Sequence, residues 1–356
     1  MEIGTTNVMR KDSSMKGSTT ILQSGIQGLT ESLAENLGVE SSMVLPFVDF
    51  TEMMTAYLLH VSGPGGRLIV GGHATPEIQL AADRAEMEIT EAIGATPFVG
   101  HVEDVLEAVA STGDVIYLAN PNWVTGSNYS TKDIERLAEA TGDGALILDE
   151  KLFDFYGISG LGMLERYANV IVLRSLTAGF GIDADESGYM VGTPGLISAF
   201  GEALGANGFT ATRLRIINTT LASEDARTQR LAMVQDESLR VASRLTELGV
   251  QNRMTSADFL LLRVADPQRV GNFMSRYGVA LGNLDGYPAL QHYVKYRMQS
   301  PLSNDNFLTA FSRMPKEYYH MDGIDRRAVM FNRPGSRKKS TYETTRESVV
   351  MTVEDK

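Results

Sequence analysis

At 356 residues the chain exceeds one compact core of ordinary size and suits one large and one small domain. Its 43% hydrophobic and 21% charged residues are those of an ordinary globular protein, and its formal net charge of −12 argues against a general nucleic-acid or anionic-membrane surface. Having no cysteine, it can form no disulfide, thiolate nucleophile or Cys-ligated metal centre. The first 20 residues lack an apolar h-region and no run of 18 apolar residues occurs, so a cytoplasmic protein without membrane or nucleic-acid partners is expected.

In chain order, residues 1–40 read as a segment packing with the small domain, and 41–210 as a large domain of alternating strands and helices. SSMVLPF (41–47) is strand-like and FTEMMTAYLLHV (50–61) helical, with apolar residues at i, i+3 and i+4. GRLIVGG (66–72) is the next strand, followed by a helix over 75–92 with Pro76 near its first turn. TPFVG (96–100), DVIYLAN (114–120), ALILDE (145–150), NVIVLRSL (169–176) and SGYMVG (187–192) are further strand candidates, with a helix over 131–142. Continuous apolar strands alternating with helices predict a doubly wound, mainly parallel sheet covered on both faces. Ligands of such sheets bind beyond the carboxyl ends of the strands. Residues 211–331 read as one long helix to about Leu248 and a small α/β domain, and 332–356 as a polar tail.

Three stretches in these strand contexts resemble motifs of one family. LANPNWVTG (118–126) is similar to N-P-N-N-P-T-G, LILDEKLFDF (146–155) to L-x-x-D-E-A-Y-x-x-F, and VLRSLTAGFGIDADESGYMVG (172–192) to R-S-L-S-K-A-F-G-L-A-G-L-R-x-G-Y. All three belong to the class I/II aminotransferases of fold type I, which use pyridoxal phosphate (PLP), and the histidinol-phosphate aminotransferase branch is the nearest match. The resemblance runs in order from about Ile21 to Met314. It implies the type I PLP-dependent transferase fold and a homodimer, with a heteromer containing an active paralogue as the other arrangement.

Carried over residue by residue, the resemblance implies a changed cofactor site. The lysine that holds PLP aligns with Ala178, which offers neither nucleophile nor base. The phosphate-binding turn aligns with Asp49 and Phe50 and its arginine with Glu186, while Thr177 and Ser175 keep hydroxyls. Asn122 stays in its motif, but the asparagine that meets the ring hydroxyl becomes Trp123 and its tyrosine helper Leu152. The stacking aromatic falls at Thr75 or Ile78, and a tyrosine lent by the neighbouring subunit near Ile21. Asp149, the partner of the pyridinium nitrogen, remains, and Lys151 replaces a small residue against the ring face. The arginine for the substrate carboxylate aligns with Lys295, with Arg297 two positions on.

Lys151 admits two readings: a relocated Schiff-base lysine, or an ammonium paired with Asp149. Trp123 is either a stacking platform for a new ligand or a plug. Asp149 and Glu150 are neighbours on a strand and face opposite sides, so they share no metal or acid–base role. The five histidines show no ligand spacing, and no metal site is expected. Two functions follow: an aminotransferase-like pseudoenzyme acting as a binding, regulatory or structural subunit, or an enzyme of amino-acid-type metabolism re-using the pocket, with PLP through Lys151 or without PLP.

Overall fold

The computed structural model describes residues 9–180, 187–204 and 208–323. A long helix, α1 (Met9–Leu37), leads into β1 (Val44–Phe47). There follow α2 (Phe50–Val61), β2 (Arg67–Gly71), α3 (Pro76–Arg84), β3 (Glu88–Ala92), α4 (Val102–Ala108), β4 (Val115–Ala119) and α5 (Thr131–Ala140). Then come β5 (Ala145–Asp149), a short α6 (Phe153–Tyr156), β6 (Val170–Ser175), β7 (Gly188–Val191), α7 (Pro194–Leu204) and α8 (Ala211–Leu221). The strands form one sheet in the order β1-β7-β6-β5-β4-β2-β3, parallel except for β7, which runs antiparallel to both neighbours. A large doubly wound sheet is thus present as its apolar strand runs predict.

Period-two alternation divides this sheet into two cores. Ile116, Leu118, Leu146, Leu148 and Val172 pack under α1, α4, α5 and α8. Val115, Tyr117, Ile147, Ile171 and Leu173 face α2, α3 and α7 through residues such as Met53, Ile78 and Phe200. The same alternation sends Asp149 and Ser175 to the α2 side of the sheet end, and Glu150 and Arg174 to the opposite side.

The second unit begins with α9 (Glu224–Glu247). It contains β8 (Gln251–Met254), β9 (Phe259–Arg263), α10 (Pro267–Ser275), β10 (Tyr293–Arg297), α11 (Pro301–Ser312) and α12 (Lys316–Tyr319). Its antiparallel sheet has the order β10-β9-β8. One face packs on α9, α10 and α11, and the other, with Phe259 and Leu261, joins Phe98, Val124 and Leu152 of the large unit in a shared core.

Several expectations are corrected. The N-terminal segment does not sit with the small unit: Leu29, Leu33 and Ala34 of α1 belong to the large sheet's core, against β1 and α8. The long helix is two, α8 and α9, parted at Ala222–Ser223, and Leu214 and Ile217 of α8 also pack on the large unit. The helix over 75–92 ends at Arg84, because the backbone turns at Glu86 with φ +54°, and residues 88–92 form an edge strand. Residues 96–100 are loop, anchored by buried Phe98. Neither helix break, at 85–87 or at 222–223, carries the glycine or proline that punctuates a helix in sequence. Residues 324–356, and so the whole polar tail, lie outside the described residues.

Candidate functional site

The carboxyl ends of β4, β5 and β6 and the first turn of α2 converge on one chamber. Asp149 ends β5 with its side chain fully buried. It accepts hydrogen bonds from the Tyr117 hydroxyl and from the Lys151 backbone N–H, the latter at 3.0 Å. The Lys151 ammonium is 3.2 Å from the second carboxylate oxygen. It also lies 3.3 Å from the centroid of the Phe50 ring and 5.2 Å from that of Trp123. A desolvated cation over two aromatic faces gains about 1–2 kcal/mol beyond its ion pair.

Asp49 is the N-cap of α2, its carboxylate accepting the Glu52 N–H at 2.8 Å. A helix N-terminus attracts anions through its unpaired N–H groups and its dipole. Here the chain's own carboxylate takes that position. Phe50, the next residue, is buried and turns its ring to Lys151.

The hydroxyls before Ala178 serve the turn itself. Ser175 Oγ accepts the backbone N–H groups of Thr177 at 3.0 Å and Ala178 at 2.9 Å, and lies 3.3 Å from the Thr177 hydroxyl. Ala178 is buried and opens a turn that packs on α9. Asn122 holds the loop after β4: its Oδ1 accepts from Val124 and Thr125 N–H, and its amide donates to the His73 carbonyl. Trp123 packs in both the large-unit core and the shared core, its indole N–H buried and without a hydrogen-bond partner among the described residues. Leu152 is fully buried beneath it. Glu186 lies outside the described residues.

Lys295 and Arg297 point from the same face of β10 but hold different partners. Lys295 Nζ donates to the Trp123 carbonyl at 2.5 Å and sits 3.9 Å from the centroid of the Phe259 ring. Arg297 Nε donates to buried Asp258 at 2.6 Å, and Arg230 of α9 approaches the same oxygen at 3.8 Å. Burial lowers the Lys295 ammonium to about 8; Arg297 adds to this, while Asp258 and Glu77 oppose it.

On the other face of the sheet, Glu150 is bound by Arg174 through Nε and Nη2 at 3.2 and 3.1 Å, by Ser159 at 2.8 Å and by the Gly160 N–H. Arg174 in turn lies 3.7 Å over the Phe153 ring. Burial raises the Glu150 carboxyl even so, against the lowering by Arg174. Glu150 therefore has no part in the chamber.

Three members of the site are not evident from motif comparison. Tyr117 supports Asp149, and its signal is a lone phenol in an otherwise aliphatic strand, since a buried hydroxyl requires a partner. His73 is buried with its Nδ1 3.6 Å from Glu91 and its ring 5.0 Å from that of Tyr287. The Tyr287 hydroxyl donates to the Ala74 carbonyl, one of several ties between the two units.

The sequence model of the family described as aminotransferase class I and II matches residues 86–291. The chain belongs to this family. The histidinol-phosphate aminotransferase of Chlorobaculum tepidum is 24% identical over 286 residues, covering 79% of this chain and 81% of that protein. That of Chlorobium luteolum is 26% identical over 289 residues, covering 80% of each. Among solved structures, the histidinol-phosphate aminotransferase of Sinorhizobium meliloti, in complex with pyridoxal-5'-phosphate, superposes with a TM-score of 0.72 at 17% identity, over 81% of this chain and 80% of that one. The fold is that of the type I PLP-dependent aminotransferases, as its motifs imply. Among the described residues of this aminotransferase-family chain, no helix is long and apolar enough to cross a membrane.

Proposed function

We propose that this member of the aminotransferase family neither holds PLP on a lysine nor transaminates, and that it works as a binding, regulatory or structural subunit. The observation that carries this reading is the Lys151 ammonium, seated between the Asp149 carboxylate and the Phe50 ring. In the family frame the cofactor reaches from the carboxylate at the end of β5 to the N-terminus of α2. Lys151 and Phe50 stand in that span, and Asp49 already caps the helix end.

The residues present do not fit PLP. The turn aligned with the cofactor lysine carries Ala178, and a phosphate dianion at α2 would meet the Asp49 carboxylate. At the few-ångström separations of such a site, like charges cost on the order of 4 kcal/mol at an effective dielectric of about 20. Trp123 supports the plug reading, since its ring joins two cores instead of standing free over an open surface. The second reading, PLP chemistry through Lys151, is disfavoured by the contacts that already engage its nitrogen, the Asp149 carboxylate at 3.2 Å and the Phe50 ring at 3.3 Å. The family resemblance supports assembly as a homodimer or with an active paralogue.

The direct test supplies purified protein with PLP, 2-oxoglutarate and either histidinol phosphate or an aromatic amino acid as amino donor. Glutamate formation is expected to stay at the level of PLP alone. Turnover that disappears on Lys151→Arg would overturn the proposal in favour of a rewired enzyme.

A further inference from the structure

We infer that Lys295 is a covalent capture site for small aldehydes and ketones, which it binds as an imine between the large and small units. The inference requires no PLP at Ala178 and stands whether or not the chain transaminates.

Two lysines flank Trp123, and their surroundings differ. Lys151 has a carboxylate at 3.2 Å. Among the described residues, Lys295 has no carboxylate in ion-pair range; its amine meets a carbonyl oxygen and an aromatic face. Neither contact compensates fully for desolvation, and the cation is held down to about 8 by burial, with Asp258, Arg297 and Glu77 as the charged groups acting on it. More of the neutral, nucleophilic amine is therefore present near neutral pH than at an ordinary lysine.

The same two contacts suit the product. The unprotonated Nζ adds to the carbonyl carbon and a proton passes from nitrogen to the former carbonyl oxygen. The carbinolamine hydroxyl then takes up one proton from solvent and leaves as water, so that the C=N bond forms with one N–H retained. The protonated imine keeps one N–H, which can donate to the Trp123 carbonyl as the amine does now. Its positive charge remains over the Phe259 ring. No oxidant, reductant or metal enters the balance.

Glyoxylate is a suitable probe, trapped with cyanoborohydride and located by peptide mass mapping. At pH 7 Lys295 is expected to be labelled at least about tenfold faster than the exposed Lys132, and faster than Lys151. The rate at Lys295 should stop growing above pH 8, where Lys295 is already largely neutral. Lys295→Arg should abolish the fast phase and leave the remaining labelling unchanged. Equal rates at Lys295 and Lys132 at pH 7, or a fast phase on Lys151, would overturn the inference. The wild-type pH profile carries the test if the variant fails to fold. Labelling at Lys295 together with glutamate formation in the transamination assay would contradict the proposed function and leave this inference standing.

Discussion

Replacing Lys151 with methionine is expected to lower the free energy of unfolding by about 3–5 kcal/mol, measured by urea denaturation at neutral pH. Asp149 has no exposed surface, and among the described residues the lysine supplies its one counter-charge. Without it the carboxylate keeps two hydrogen bonds, from Tyr117 and from the backbone of residue 151, but remains a buried anion. Methionine preserves most of the stem's volume over Phe50, so the loss reports charge, with little contribution from packing. Adding Asp149→Asn should return most of the stability, because the amide can still meet the phenol and carries no charge. A loss below about 1 kcal/mol for Lys151→Met, or no recovery in the double variant, would show that the pair is not the element that closes the chamber.

Restoring a lysine at position 178 is expected to restore neither PLP binding nor activity. Ala178 is buried in a turn whose N–H groups are tied to Ser175 and which rests on α9. A long side chain there must either distort the turn or enter the chamber, where it meets the Lys151 ammonium. Ala178→Lys is therefore expected to cost about 1–3 kcal/mol and to leave the protein colourless after PLP incubation and dialysis. Clearing the span as well, by Lys151→Ala, Phe50→Ser and Asp49→Gly in the same chain, should permit a yellow adduct that borohydride fixes to residue 178. Colour in the single variant would mean that the loss of one lysine is the whole difference from an active relative.

The architecture was legible because its signals are cooperative. Valine-, isoleucine- and leucine-rich runs at β4, β5 and β6 cannot be placed except in a sheet covered on both faces. The chamber was half legible. The pairing of Lys151 with Asp149, and the opposite facing of Glu150, follow from period two on one strand. The α2 cap by Asp49 was not read from the sequence, although an acidic residue before an apolar helical pattern is its signal.

What stayed hidden depends on contacts between distant segments. Nothing local to Lys295 tells that its amine meets the Trp123 carbonyl across 172 positions of chain. The edge strand β3 escaped because Glu88 and Glu91 suit an exposed helix face as well as an exposed sheet edge. The placement of α1 turned on which of two cores its narrow apolar stripe would find, and β1 and α8 supply that core only in the folded chain.

Trp123 is the chain's only tryptophan, so its fluorescence reports on the chamber without interference from elsewhere. Titrating the native protein with PLP, with free tryptophan as the absorbance control, tests most directly whether the chain's own side chains fill the cofactor position. Quenching no greater than the control at millimolar PLP is the predicted result. Saturable quenching at micromolar PLP would contradict it and require a cofactor beside Trp123.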